Sequence, residues 1–434
     1  MLIMVLPSSA ALAQTNETPS VAETLTTSQL FEFADQLRRD GQLENAEAAY
    51  RALARNTNAE VRTEARFRLA LMLADRLQRY ADAAVLFRQI LDEKPDAARV
   101  RLELARMQLL LGNERLAERE FRAVLAAQLP PEVEQLVRFY SQTLATQRPF
   151  GASLQVAIAP DSNINRATTK DTIGTIIGDF NLSDDARSRS GVGVALRGQA
   201  FARIGVDSNA DLLIRMSAGG QLYRQSAFDD YSFAIDAGPT YTSGTDRIKL
   251  NGTFAWRWFG GSLYSTTYGG EAEWSHPIDR RTQLRVDGAI TYRDDKLNDL
   301  RSTNSYALAV GVDRAISSRL GAGLRIQGQR DVADDPGYSQ YIARVDLVAF
   351  REIGATTAVL NLGYSRLSAD QRLFLFLDRR KDDRYTASLA ATFRNLRVGR
   401  VAPLVRVSYE DNQSTVSIYD YSRLAAEFGV SAAF

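Results

Sequence analysis

Residues 159–168 read APDSNINRAT, and they bring a carboxylate, a hydroxyl, two carboxamides and a guanidinium together within six positions (Asp161, Ser162, Asn163, Asn165 and Arg166). Three kinds of chemistry fit such a set: a catalytic cluster, a cation-binding loop, or a polar constriction in a pore. Catalysis by Ser162 would require a base to take its proton. The chain has no cysteine and a single histidine, His276, which precedes Pro277 at a turn-like position with no serine partner in view. Thiol chemistry, Cys/His zinc sites and histidine triads are thereby excluded. The carboxylate pairs Asp184–Asp185, Asp229–Asp230, Asp294–Asp295 and Asp334–Asp335 could serve as acid/base pairs or calcium ligands. All four fall among turn residues, where solvated carboxylates are the ordinary outcome. The expectation is a protein that is not an enzyme and carries no cofactor and no metal ion.

Charge and the N-terminal segment narrow the setting. Lys and Arg total 53 against 52 Asp and Glu, so no net positive field attracts nucleic acid. The segment MLIMVLPSSAALAQ ends an apolar run in Ala11-Leu12-Ala13, a signal-peptidase pattern with Gln14 as the new N-terminus. No basic residue precedes that run, as in a truncated leader. Residues 1–13 are thus read as a signal peptide and 14–27 as a linker. No later apolar run reaches about 18 residues, the length a membrane helix requires.

From residue 28 to 148 the apolar spacing is helical and repeats. Ala46, Tyr50 and Leu53 recur as Ala83, Phe87 and Ile90, and again as Ala117, Phe121 and Val124, at offsets of 37 and 34 positions. The tetratricopeptide period is about 34. A small Ala lets antiparallel helices approach, an aromatic four residues later fills the space beside it, and Pro95 ends a helix. The segment PPEVEQLVRFYSQTLATQR reads as a closing helix. This region is a tetratricopeptide-like α-solenoid, an architecture that binds extended polypeptide or a partner protein.

Beyond Phe150 the period becomes two. In KLNGTFAWRWF, QLRVDGAITYRD and DRYTASLAATFRN, apolar and polar residues alternate over ten to fourteen positions. That is the length of a tilted strand crossing a bilayer. Hydrocarbon supplies no hydrogen-bond partner for an open edge, so the sheet must close. Fourteen candidate strands start near Gly151, Ser190, Asp211, Tyr231, Asp246, Leu263, Thr282, Thr303, Arg319, Ser339, Thr356, Asp383, Pro403 and Tyr421. Connections alternate between short and long, apart from a tight GG after Trp258 and the longer NLRVGRVA. Aromatics near strand ends, including Trp256, Trp258, Trp274, Tyr341, Tyr385, Tyr409 and Tyr421, read as interfacial girdles. The fold class is therefore α plus membrane β: the solenoid, then a 14-stranded antiparallel transmembrane barrel over 149–434. The last strand places Phe428, Val430 and the terminal Phe434 on one face, a signal of the kind read by the barrel-assembly machinery.

The polar faces of these strands line the lumen. Arg257, Arg285, Asp287, Arg325, Arg344, Asp346, Arg394, Arg406 and Glu427 are its candidate wall charges. Loop 161–189 is the longest in the barrel, and the expectation is that it folds back as a plug. Asp161, Asn163, Asn165 and Arg166 would then bond to the charged wall, with Asp161 pairing with an inward Arg.

A helical-repeat domain, APDSNIN on leaving the first strand, and a fourteen-strand barrel ending in Phe434 together resemble the Slam family of surface lipoprotein assembly modulators. The resemblance implies an outer-membrane translocon, with its helical domain in the periplasm of a Gram-negative bacterium. Its expected cargo is a surface lipoprotein or related soluble secreted protein, and its other expected partners are periplasmic chaperones and outer-membrane lipid. Two alternatives share the architecture: an exopolysaccharide export porin, which usually carries a longer repeat array, and a passive porin with an accessory binding domain.

Overall fold

In the computed structural model the described residues are 26–126, 150–207, 209–279, 281–317, 319–398 and 401–433. The expected signal peptide, most of the linker, the closing helix and Phe434 lie outside them. Six helices come first: α1 (Thr27–Arg39), α2 (Leu43–Leu53), α3 (Ala59–Asp75), α4 (Tyr80–Glu93), α5 (Ala98–Leu110) and α6 (Glu114–Ala126). No helix among the described residues is long and apolar enough to cross a membrane.

The chain divides into two compact units, residues 1–65 and 66–434. In the first, Thr26 caps α1 in a reciprocal box: its hydroxyl accepts from the Gln29 amide while Gln29 Oε1 accepts from the Thr26 amide at 2.8 Å. Ala46 and Tyr50 are fully buried on α2. Burial and the hydrogen bond the Tyr50 hydroxyl donates to Asp35 push its phenol up to about 12. In the second unit Ala83, Phe87, Ala117 and Phe121 are buried in the same way. Phe67 meets Phe87 edge-on at 5.8 Å, and α4 ends just before Pro95, as its missing amide hydrogen requires. The turns also repeat. Gly41 and Gly112 close α1 and α5 at φ +77° and +71°, and Gln78 takes the corresponding turn before α4 at φ +51°.

Helices α4–α6 share a buried ionic centre. Glu120 accepts from Arg101 Nη1 at 2.7 Å and Arg88 Nη1 at 3.2 Å. Burial alone would raise the Glu120 carboxyl, but Arg88, Arg119 and Arg101 hold it down at about 2.

Fourteen strands form one closed antiparallel barrel. They are β1 (Phe150–Asp161), β4 (Gly191–Gly205), β5 (Ala210–Tyr223), β6 (Asp230–Ser243), β7 (Asp246–Phe259), β8 (Ser262–Pro277) and β9 (Thr282–Asp295). The rest are β10 (Thr303–Ala315), β11 (Leu320–Ala333), β12 (Gln340–Ile353), β13 (Thr356–Arg372), β14 (Arg379–Phe393), β15 (Val401–Ser414) and β16 (Tyr421–Ala433). Neighbours in sequence are neighbours in the wall, and β16 closes on β1. The expected strand starts hold to within a few residues; β14 begins earliest relative to expectation, at Arg379 rather than Asp383. One end carries short turns such as 244–245 and 354–355; the other carries longer loops apart from the tight turn 260–261, and in outer-membrane barrels the short turns are periplasmic.

Register partners share a face, and this sorts the wall. Ile158, Leu250, Ile290, Leu308, Ile326 and Phe428 lie on the exposed outer face, and Arg285, Asp287, Arg325, Arg344, Asp346, Arg406 and Glu427 point inward. The girdle aromatics stack outside, as in Phe254 against Tyr268 and Tyr231 against Trp258. Tyr421 departs from expectation. Its position places it inside, where its hydroxyl donates to Glu410 at 2.6 Å.

Two outcomes follow for the helices. Gln78→Gly relieves a left-handed backbone that costs an L-residue about 1–2 kcal/mol and should raise the helical unfolding midpoint in far-UV circular dichroism. Because the Glu120 carboxyl is held below its ordinary value, its stabilisation is complete above about pH 4.3 and is lost as pH falls towards 2. Glu120→Gln should destabilise the helices by about 3–5 kcal/mol at neutral pH and flatten the decline that the parent protein shows in melts between those limits.

Candidate functional site

The lumen is polar along its height, and many of its charges are paired. Near the long-loop end Arg257 forks onto Asp230 at 2.9 and 2.7 Å. Deeper in the barrel Arg325 meets Asp287 at 2.7 Å, Arg344 meets Asp346 at 2.7 Å, and Arg285 meets Asp313 at 3.2 Å. Arg406 and Arg197 converge on Glu427 at 2.8 and 2.6 Å. A strand presents every second residue inward, so Arg406 and Glu427 stand opposite one another, Arg344 and Asp346 follow along one strand, and Arg325 and Arg197 reach their partners over an intervening strand. Arg394 is the exception among the expected wall charges. The strand has already ended at Phe393, so Arg394 sits in the rim turn and donates to Asp92 of α4 at 2.7 Å and to the Gly354 carbonyl at 2.9 Å.

Two chambers open inside. The one towards the long loops, about 610 Å³, is lined by Gln155, Arg166, Arg197, Asp230 and Arg257 among others. The other, about 540 Å³, is lined by Arg215, Lys249, Glu271, Asp287 and Arg325, and its floor is Gly112 and Asn113 of the α5–α6 turn with Leu116 of α6.

Helices α4–α6 cover the short-turn mouth through contacts distributed around the rim. Arg88 pairs with Glu352 of β12, Arg122 donates to Gln283 of β9, and Glu118 accepts from Arg247 of β7 at 3.0 Å. The Arg119 guanidinium lies 4.3 Å over the Phe350 ring. On the far side the Phe201 ring occupies the space that a side chain at position 112 would need. Nothing in the local sequence marks Glu118, Glu120 or Asp92 for this role, because each acts only through partners far away in the chain.

At the other mouth APDSNIN is a clamp. Asp161, 5% exposed, accepts from Arg423 Nε at 2.8 Å and Nη2 at 2.5 Å, and from the Tyr223 hydroxyl at 3.2 Å. Asn163 is fully buried. Its amide donates to Asp161 Oδ1 at 2.9 Å, while its carboxamide holds both the amide and the carbonyl of Ala167 and reaches the Ser422 carbonyl at 3.0 Å. This turn fixes Arg166 at φ +48°, from where it approaches Glu410 at 3.5 Å. Asn165 does not face the wall. It ties the two legs of the loop, donating to the carbonyls of Asp185 and Arg187 at 3.1 and 2.7 Å. The apolar islands IGTIIGDF form a hairpin of β2 (Thr172–Thr175) and β3 (Gly178–Asn181), with Ile177 exposed and Ile176 bonded to the neighbouring loop at Leu375. The base of the loop thus enters the barrel, while its tip reaches the outer loops.

Arg423 and Tyr223 were not among the expected site residues. Arg423 was reachable by parity, since it lies four residues before the inward Glu427 on one strand. Phe428 and Val430 face outward beside Ile158 and Val156. His276 lies 2.5 Å from Asp246 at the short-turn end of β8. Among the described residues no cluster of three or more metal-ligating side chains occurs.

Residues 151–434, more than half of the chain, match the family described as surface lipoprotein assembly modifier, and residues 76–138 match the tetratricopeptide repeat. Similar proteins include the surface lipoprotein assembly modifier 1 of Haemophilus influenzae, 20% identical over 82% of this chain and 74% of that one. The hemophilin secretion modulator of Acinetobacter baumannii is 22% identical over 80% and 74%. Among solved structures, a Pseudomonas aeruginosa FadL homologue aligns over 73% of this chain and 93% of its own, with a TM-score of 0.40 and 9% identity. The chain belongs to the surface lipoprotein assembly modifier family and is an outer-membrane β-barrel protein with an N-terminal helical-repeat region.

Proposed function

We propose that this protein is an outer-membrane translocon that delivers surface lipoproteins, or related soluble cargo, from the periplasm to the cell surface. The observation that carries the reading is the seating of α4–α6 on the short-turn mouth, directly beneath a polar lumen. A repeat module, the architecture that grips polypeptide, sits where cargo would enter. The names of the two relatives, an assembly modifier and a secretion modulator, point the same way. The helices engage the cargo or its periplasmic chaperone, and the barrel is the conduit. Phe428 and Val430, together with Phe434, serve as the recognition strand for the barrel-assembly machinery. The charged side chains hold, position and yield; none is assigned a catalytic role. Transport is driven by folding of the cargo, or insertion of its lipid, on the outer side.

The loop clamped by Asp161 and Asn163 constricts the outer mouth. Excising residues 172–181 while keeping the clamp should raise single-channel conductance in planar bilayers; unchanged conductance would contradict a constricting role for the tip. Delivery itself is tested by co-expression with a candidate lipoprotein and protease shaving of intact cells. Cargo should be shaved only when this protein is present. Equal surface exposure without it would leave the exopolysaccharide exporter and the passive porin as the readings to pursue.

A further inference from the structure

The closing seam of the barrel differs from the other junctions in the wall. At every other junction a turn or loop joins the paired strands at one end, so they cannot separate fully. β1 and β16 are joined at neither end and meet only by pairing. Their ladder is also interrupted. It runs from Ser153–Ala433 to Ile158–Phe428, lapses at Ala159 and Pro160, and returns at Asp161–Ala425. Pro160 has no amide hydrogen to give. On its other edge β1 pairs with β4 without a break from Phe150 to Asp161. Irregular ladders also occur between β6 and β7 at Gly238–Pro239, between β13 and β14 past Ser368 and between β7 and β8 past Arg257, but there a turn or loop ties each pair of strands together.

Past the lapse, the seam is held by side chains of the APDSNIN segment. Asp161 takes Arg423 of β16 in a forked contact. The Ser162 amide donates to the Leu424 carbonyl at 3.0 Å, and the Leu424 amide donates to the Ser162 hydroxyl at 2.8 Å. Asn163 reaches the Ser422 carbonyl. Three consecutive residues thus grip three consecutive residues of the last strand. From inside, Arg197 of β4 reaches over β1 to Glu427. These are contacts that can be exchanged for polar groups of a passing chain.

We propose that the β1–β16 seam is the lateral exit for the acyl-bearing segment of a lipidated cargo, and that Asp161, Ser162 and Asn163 form the latch that keeps it shut. The inference rests on the translocation reading above. Its physical basis is the amphiphilic nature of such a cargo. Each acyl methylene moved from lipid into water costs about 0.8 kcal/mol, so the anchor cannot follow a polar peptide through a charged lumen into the medium. Only a parted seam offers the peptide a polar lumen and the anchor a hydrocarbon path at once.

The absence of cysteine makes the test clean. Val156 and Val430 are register partners facing outward, and opposed strand residues lie within disulfide reach. The double variant V156C/V430C in the full chain, oxidised in cells that carry a lipoprotein cargo, should reduce shaved cargo at least tenfold, and reductant should restore it. The same bridge on the opposite wall, V310C/I326C between β10 and β11, should leave delivery unchanged. Cells lacking the protein serve in the same experiment. If they display no cargo while the fully bridged seam delivers at the parental level, the lateral exit is wrong and translocation stands. If they display cargo equally well, translocation fails and the exit with it. For the latch, Asp161→Asn should raise the frequency of large openings in planar bilayers, and the oxidised seam bridge should suppress them. An unchanged frequency overturns the latch.

Discussion

A backbone inside hydrocarbon has no water to bond to, and this constraint organises the whole molecule. It forces the sheet to close, and closure requires the first strand to find the last. It divides each strand into a lipid face and a lumen face, so that Ile158 and Phe428 meet the membrane while Asp161 and Glu427 turn inward. Charges confined to the lumen then find partners, at ladder distance between Arg406 and Glu427 and across an intervening strand between Arg325 and Asp287. A polar conduit with paired walls is therefore the expected consequence of closing such a sequence.

The two ends of the conduit are treated differently. At the short-turn end a helical element, α4–α6, is held by ion pairs to several strands at once. Its own centre, Glu120 among Arg88, Arg101 and Arg119, is deeply buried. Arg88 belongs to both networks, reaching Glu120 and Glu352, so the order of the helices is coupled to their seat on the rim. At the long-loop end the closure is built from the barrel's own chain: a tight turn fixed by Asn163 and a hairpin that meets neighbouring loops.

Much of this was legible in the sequence, because strands and repeats are periodic and period is what a sequence displays. The Ala83–Phe87 and Ala117–Phe121 spacing located the packing faces, and two-residue alternation located the wall and its inward charges. What escaped were contacts between elements distant in the chain. The partner of Asp161 could be expected to be an arginine, but Arg423 follows only from the β1–β16 register. Arg394 keeps the parity of an inward residue, yet the strand stops one position earlier and hands it to Asp92. Tyr421 looks like an interfacial aromatic by type and place; the parity of its strand puts it inside. The hairpin in loop 161–189 is too short to show a period.

The central claim is that cargo crosses through this barrel. It is tested most directly by placing a photo-activatable amino acid at inward Gln199 or Gln327, which line the deeper chamber, or at outward Leu308 as a control, during active delivery of a lipoprotein. The account predicts crosslinks to cargo from Gln199 and Gln327 and none from Leu308. Delivery that proceeds with no crosslink from either inward position would contradict it.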